Sequence, residues 1–315
     1  SDPSGGIDDE DGISTRPVLR ASDTSYSLTI NRTNSTGANA TVNAWLDWDQ
    51  DGLWEEPERV SETIISGTSG DAVFTWTGLS GLVDGLTYVR VMITNNAATG
   101  SVDADGVQDD LIQLQSGSIG EIEDYSVTIR SVDFGDAPDS FGTLNASNGA
   151  SHFIETNLYL GDTVADADAN GFVDGTDDSG NASDDDNVGG DEGVTQLLAS
   201  GSSFPPLEVS DSSYSLAINA FNNTGTNARI YAWIDFDNSG TFDEDELAGG
   251  GPVGVPNSTG VQIRNLQWLS LPGITTGPQF MRVRITTETP SANGSGADER
   301  ALGLLNDGEV EDYVV

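Results

Sequence analysis

Two stretches of the chain place carboxylates at alternate positions, the arrangement an oxygen-seeking cation requires. The first is Ala44-Trp45-Leu46-Asp47-Trp48-Asp49-Gln50-Asp51-Gly52-Leu53-Trp54, continuing to Glu58. The second is Ala232-Trp233-Ile234-Asp235-Phe236-Asp237-Asn238-Ser239-Gly240-Thr241-Phe242, continuing to Glu246. Counted from the first aspartate, position 1 is Asp47 or Asp235, position 3 Asp49 or Asp237, position 5 Asp51 or Ser239, and position 12 Glu58 or Glu246. Glycine stands at position 6 and a further acid at 9. Calcium takes roughly six to eight oxygens, so a loop that holds it turns alternate side chains inward, bends at a glycine and closes the shell with a late, bidentate glutamate.

A third stretch repeats the pattern: Asp166, Asp168, Asn170, Asp174 and Asp177 occupy positions 1, 3, 5, 9 and 12 around Gly171. It resembles the Asp-rich loops of thrombospondin type 3 repeats and dockerins. The run Asp177 to Asp186 reads equally as further ion ligands or as a solvated linker. In the EF-hand such loops sit between helices. Here the residues before the first two, Ala40 to Leu46 and Ala228 to Ile234, are β-branched and aromatic and read as strands. The cofactor expected is therefore Ca²⁺, several ions per chain, on a β-scaffold.

The elements that must position these loops are themselves repeated. Trp45 and Trp233 are 188 positions apart (233 − 45), and Tyr26 to Asn31 matches Tyr214 to Asn219 at that offset, as Gly120 to Tyr125 matches Gly308 to Tyr313. Tyr88 to Thr94 pairs with Phe280 to Thr286 after a small loop insertion. The chain is thus an internal duplication. Tyr26, Leu28 and Ile30 alternate with polar neighbours, as do Tyr125, Val127 and Ile129, which marks half-buried strands. About seven short strands per copy, punctuated by Gly, Asn and Asp, predict an all-β chain of two tandem antiparallel β-sandwich domains with calcium-binding loops. The predicted boundaries are a first sandwich over 1–130, an Asp/Gly-rich leader with a calcium loop over 131–193, and a second sandwich over 194–315.

Composition narrows the partners. Against 11 Lys and Arg stand 52 Asp and Glu, a formal charge of −41. That surface repels nucleic acid and anionic membranes, and no apolar run is long enough to cross a bilayer. Bound calcium offsets the excess; a halophile-style solubilising surface is the alternative reading. There are no cysteines, so no disulfide staples the loops, and metal ions are the substitute. The environment expected is extracellular, at a bacterial cell surface, and the limits at Ser1 and Val315 read as a monomeric segment of a longer chain.

Gly308-Glu309-Val310-Glu311-Asp312-Tyr313 and its variant Gly120-Glu121-Ile122-Glu123-Asp124-Tyr125 resemble the signature of the GEVED domain of bacterial cell-surface proteins. The run Asp133-Phe134-Gly135-Asp136-Ala137-Pro138-Asp139-Ser140, the later His152 and Leu158-Tyr159-Leu160-Gly161 resemble the segment that precedes such a domain. The resemblance implies a module of large, secreted, adhesin-like proteins without naming a ligand. Within the motif, Glu123 and Asp124, and Glu311 and Asp312, read either as ligands completing a calcium shell or as partners of Arg90 and Arg282; charge protection of an edge strand is the bland alternative.

No catalytic residue is expected. The acids sit in calcium spacing, His152 is the only histidine, and the chain has no nucleophile elbow, zinc-protease histidine pair or phosphate-binding glycine loop. Two non-enzymatic functions remain: a calcium-stabilised adhesion module that binds a cell-surface glycan or peptide, and a structural spacer in an adhesin stalk. The binding reading rests on Trp48 and Trp54, indoles inside a calcium loop where an exposed ring could stack on a sugar.

Overall fold

A computed structural model describes residues 12–95, 120–165, 167–168, 207–271, 273–292 and 296–315. The chain divides into two compact units, Ser1–Arg130 and Ser131–Val315.

Unit 1 contains β1 (Leu19–Arg20), β2 (Ser25–Asn34), β3 (Ala40–Leu46), β4 (Arg59–Ile64), β5 (Thr68–Thr77), β6 (Gly85–Thr94) and β7 (Gly120–Arg130). One sheet runs β1-β7-β6-β3-β4, and β2 pairs with β5 in the other. Every pairing is antiparallel except the two-residue contact of β1 with β7. Alternation decides which side chains meet between the sheets: Tyr26, Leu28 and Ile30 of β2 are buried while their neighbours are exposed. They pack with Val42, Ala44, Trp76, Val89, Tyr125 and Val127 in one core.

Unit 2 contains β8 (Val132–Phe134), β9 (Ser151–Phe153), β10 (Leu158–Leu160), β11 (Tyr214–Asn222), β12 (Ala228–Ile234), β13 (Val253–Val255), β14 (Gln262–Trp268), β15 (Phe280–Thr286), β16 (Leu304–Leu305) and β17 (Glu309–Val314). Its sheets run β13-β12-β15-β17 and β10-β11-β14, with a small third sheet β16-β9-β8 in which β16 and β9 are parallel. The architecture is the expected pair of β-sandwiches.

The segment from Ser131, read from sequence as a leader set apart from both sandwiches, is instead built into the second. Among its described residues, β10 adds an edge strand to β11, and β8 and β9 cover the outer side of the β15–β17 sheet. The reason is burial: Phe134, Phe141, Phe153, Leu158 and Leu160 are apolar side chains that only the second sandwich can shield, and all are buried there.

Candidate metal centre

Each cation loop leaves the sandwich where a central strand ends. After Leu46 the chain turns through Asp47–Gly52 and re-enters by a short 3-10 helix, Glu56–Glu58; after Ile234 it turns through Asp235–Gly240 and re-enters by Glu244–Glu246. The two turns share one backbone. Gln50 and Asn238 have φ of 60° and 62°, and Gly52 and Gly240 have φ of 83° and 81°. These left-handed positions fold the loop back on itself, which is why position 6 is glycine in both.

The fold brings the expected ligands together. In unit 1, Asp47, Asp49 and Glu58 each offer an oxygen within 4.8 Å of the others, and Asp49, Asp51 and Glu55 form an adjoining group. In unit 2 the same is true of Asp235, Asp237 and Glu246. Ser239 stands beside them, its N–H shared between Asp235 Oδ1 and Asp237 Oδ1 at 2.9 Å each. Asp47, Glu58, Asp235 and Glu246 are almost wholly buried.

The late glutamates are locked by backbone donors. Glu58 accepts from Trp48 N at 3.1 Å and from Glu55 N at 3.2 Å; Glu246 accepts from Phe236 N at 3.1 Å and Asp243 N at 2.9 Å. Their main-chain carbonyls accept from the indoles of Trp76 (2.6 Å) and Trp268 (2.7 Å). Reasoning from the loop alone misses these two tryptophans, which belong to β5 and β14. They share a sequence offset of 192, and that was the available signal.

Electrostatics make the arrangement costly without a cation. Burial, joined by the charges of Asp47 and Asp49, pushes Glu58 up to about 8; burial with the charges of Asp235, Asp237 and Asp243 pushes Glu246 up to about 9. Burial likewise raises Asp47 and Asp235. Asp47 Oδ1 is enclosed and accepts no hydrogen bond. A buried carboxylate oxygen without a donor, facing other carboxylates in an all-oxygen set, fits a hard divalent ion.

The GEVED-type motif is resolved differently from the metal reading. Asp124 accepts a two-pronged pair from Arg90, Nε to Oδ1 and Nη2 to Oδ2 at 2.7 Å each. Asp312 does the same for Arg282 at 2.7 and 2.6 Å. Both pairs lie directly opposite in register on neighbouring strands, so Asp124 and Asp312 are arginine partners and not metal ligands. Glu123 and Glu311 point to the other face of their strands and join no acidic group that could hold a metal among the described residues.

Trp54 has a partner within unit 1. Its ring lies 5.1 Å from the Arg90 guanidinium, and Phe242, its counterpart, lies 5.1 Å from that of Arg282. Loop position 8 thus carries the arginine that holds the motif's aspartate, tying the cation loop to the terminal strand in each unit. Trp48 is half-buried against the core. Both indoles are partly buried.

Of the third loop, Asp168 is placed: its carboxylate accepts from Phe134 N at 2.9 Å. Asp166, Asn170, Asp174 and Asp177 lie outside the described residues. His152 is packed: it is wholly buried between Arg284 and the Asp307 carbonyl.

Comparison with protein families matches residues 41–128 and 229–315, together more than half of the chain, to the GEVED domain. The comparison with curated proteins yields no match. Among solved structures, similar chains include the Pseudomonas aeruginosa CupB2 chaperone, at 10% identity over 86% of this chain and 90% of that one, with a TM-score of 0.22. Another is the calcium binding domain CBD12 of CALX1.1, at 9% identity over 94% and 96%, with a TM-score of 0.24. The likenesses are too distant to carry a functional argument.

Proposed function

The chain belongs to the GEVED-domain family, and from that premise we propose that its two units are calcium-clamped β-sandwich modules of a bacterial surface adhesin, acting as a structural spacer. The observation that carries the reading is the twice-built loop in which buried carboxylates converge, Asp47 Oδ1 without a donor among them. Asp47, Asp49 and Glu58 would hold one ion, and Asp235, Asp237 and Glu246 another, with Asp51 and Ser239 at the loop mouths. The ion supplies positive charge and coordination; the chain's own part is to lock each glutamate with two backbone donors and to anchor its carbonyl with an indole. The spacer role is favoured over glycan or peptide recognition because Trp48 and Trp54 are engaged within unit 1. A catalytic role is not proposed, since the acids serve the loops and the one histidine is enclosed.

Calorimetric calcium titration and thermal unfolding of the whole chain test this. Each unit should lose about 3 kcal/mol in EDTA relative to calcium at about a hundred times its dissociation constant. Glu58→Gln and Glu246→Gln should each remove one binding event. An unchanged melt in EDTA would refute the metal reading, and calcium-dependent binding to a glycan array would replace the spacer role with recognition.

A further inference from the structure

The cation loop of unit 2 touches more than its own strand. Phe242, at loop position 8, is buried against Phe141, with ring centroids 4.8 Å apart, and Phe141 lies 5.0 Å from Phe280. Phe141 belongs to the arch 135–150 that joins β8 to β9. Ala137 and Phe141 of the arch, Phe242 and Leu247 of the loop, and Trp233 and Ala301 meet in a small apolar core separate from the main core of the sandwich. Gly240 faces Ser140 beside it: a Cβ there would stand 3.8 Å from the serine side chain.

A second connection runs through the main chain. Phe242 O accepts from Asp298 N at 2.7 Å, Ala301 O accepts from Arg282 at 2.9 Å, and Gly303 N donates to Asn148 O at 2.9 Å. The stretch 298–303 thereby ties loop to arch. Arg282 also donates to the arch carbonyls of Phe141 and Gly142 while its guanidinium lies 5.1 Å from the Phe242 ring. The seat is nevertheless incompletely filled. A cavity of about 240 Å³ remains, with Asp139, Phe141 and Ser147 of the arch on its wall together with Thr241, Phe242 and Leu302. Attraction is forfeited across such a void, so the arch is held less tightly than a filled core would hold it.

We propose that the ion in the unit 2 loop seats this arch, an inference that rests on the calcium reading above. Thr241, Phe242 and Asp243 lie between the ligands Asp237 and Glu246, so their path depends on whether those carboxylates converge. Without an ion, Asp235, Asp237 and Glu246 bring like charges within 4.8 Å of one another and repel. The loop then opens, Phe242 withdraws from Phe141, and the arch lifts from Arg282 and Asp312 while β8 and β9 keep their pairing. An ion that binds the closed loop more tightly than the open one reverses the change. Calcium thus closes the cover over the buried ion pair.

Amide hydrogen exchange of the whole chain, read residue by residue in calcium and in EDTA, tests this. The amides of Gly142, Gly149 and Ala150, bonded within the arch to the carbonyls of Asp139, Leu144 and Gly142, should exchange at least about tenfold faster in EDTA. Those of β12 and β15 should change less. Phe242→Ala should still bind calcium by calorimetry, but its arch should exchange fast in both conditions. Glu246→Gln, which keeps the ring and loses the ligand, should show the EDTA rate even in calcium. Equal acceleration of arch and strands, an unaltered arch despite calorimetric binding, or an undiminished calcium effect in Phe242→Ala would each overturn the proposal. Calorimetry without any calcium binding would instead sink the metal reading, and the proposal with it.

Discussion

Arg90–Asp124 and Arg282–Asp312 are one ion pair built twice, in the same register and with the same two-pronged geometry, yet they live in different media. In unit 1 the side chains are 24% and 48% exposed; in unit 2 both are fully buried. The cover is the segment after Ser131. Ala137 N donates to Asp312 at 2.8 Å, and Arg282 donates to the carbonyls of Phe141 (3.1 Å) and Ala301 (2.9 Å) and to Thr143 Oγ1 (3.1 Å). Gly135 passes so close that a Cβ there would stand 2.5 Å from Asp312 Oδ2, so only glycine allows the cover to seat. Beside the pair, Trp233 Nε1 reaches Asp298 at 2.9 Å, whereas Trp45 Nε1 has no partner among the described residues. The strand pairing makes the ion pair, but the segment laid over it sets what the pair is worth.

The sharpest way to break the comparison is to remove the same acid from each unit. Asp312→Ala leaves a fully buried guanidinium without its counter-charge and should cost about 3–5 kcal/mol. Asp124→Ala leaves Arg90 to water and should cost about 0–1 kcal/mol. Denaturant unfolding with hydrogen exchange to assign each unit measures both; equal losses would mean that the cover does not seal the pair.

A second difference is titratable. Arg284 donates Nε to His152 Nε2 at 2.9 Å, and since arginine only donates, the His152 ring proton sits on Nδ1 and goes to the Asp307 carbonyl. Burial first, then the Arg284 charge, holds His152 well below its usual value. The unfolded chain therefore binds a proton below about pH 6.5 that the folded unit 2 does not, so stability present above that pH is lost as pH falls, by up to about 1.4 kcal/mol per pH unit. Melts in calcium at pH 7 and 5.5 should show this slope in unit 2, and His152→Gln should flatten it. Unit 1 has no histidine and should lack it.

The smallest effect expected is at loop position 8. Trp54→Ala removes a ring beside a partly exposed arginine and should cost about 0.5–1 kcal/mol from the cation–π contact, plus whatever packing the half-buried ring loses. A glycan array should read the same before and after; loss of array binding would restore Trp54 as a ligand residue.

The cluster of Asp47, Asp49 and Glu58 was legible because all its members fall within twelve residues of one loop, and the same holds for Asp235, Asp237 and Glu246. Trp76 and Trp268 were less so, since each reaches its glutamate from another strand, 18 and 22 residues away. For Asp124 and Asp312 the choice between ion and arginine stayed open for a related reason. Carboxylate spacing records the need for a positive partner, but whether that partner is an ion or an arginine depends on the strand alongside.

Sequence by itself determined the duplication, the alternating strands and the two acidic loops, because each is written in local spacing and local alternation. Tertiary structure alone decided that the segment after Ser131 belongs to the second sandwich and that it encloses the Arg282–Asp312 pair there. Those outcomes depend on contacts such as Ala137 with Asp312, 175 residues apart, and Leu160 with Glu309, 149 apart. Burial of such pairs is a property of the packed surface, which no spacing along the chain encodes.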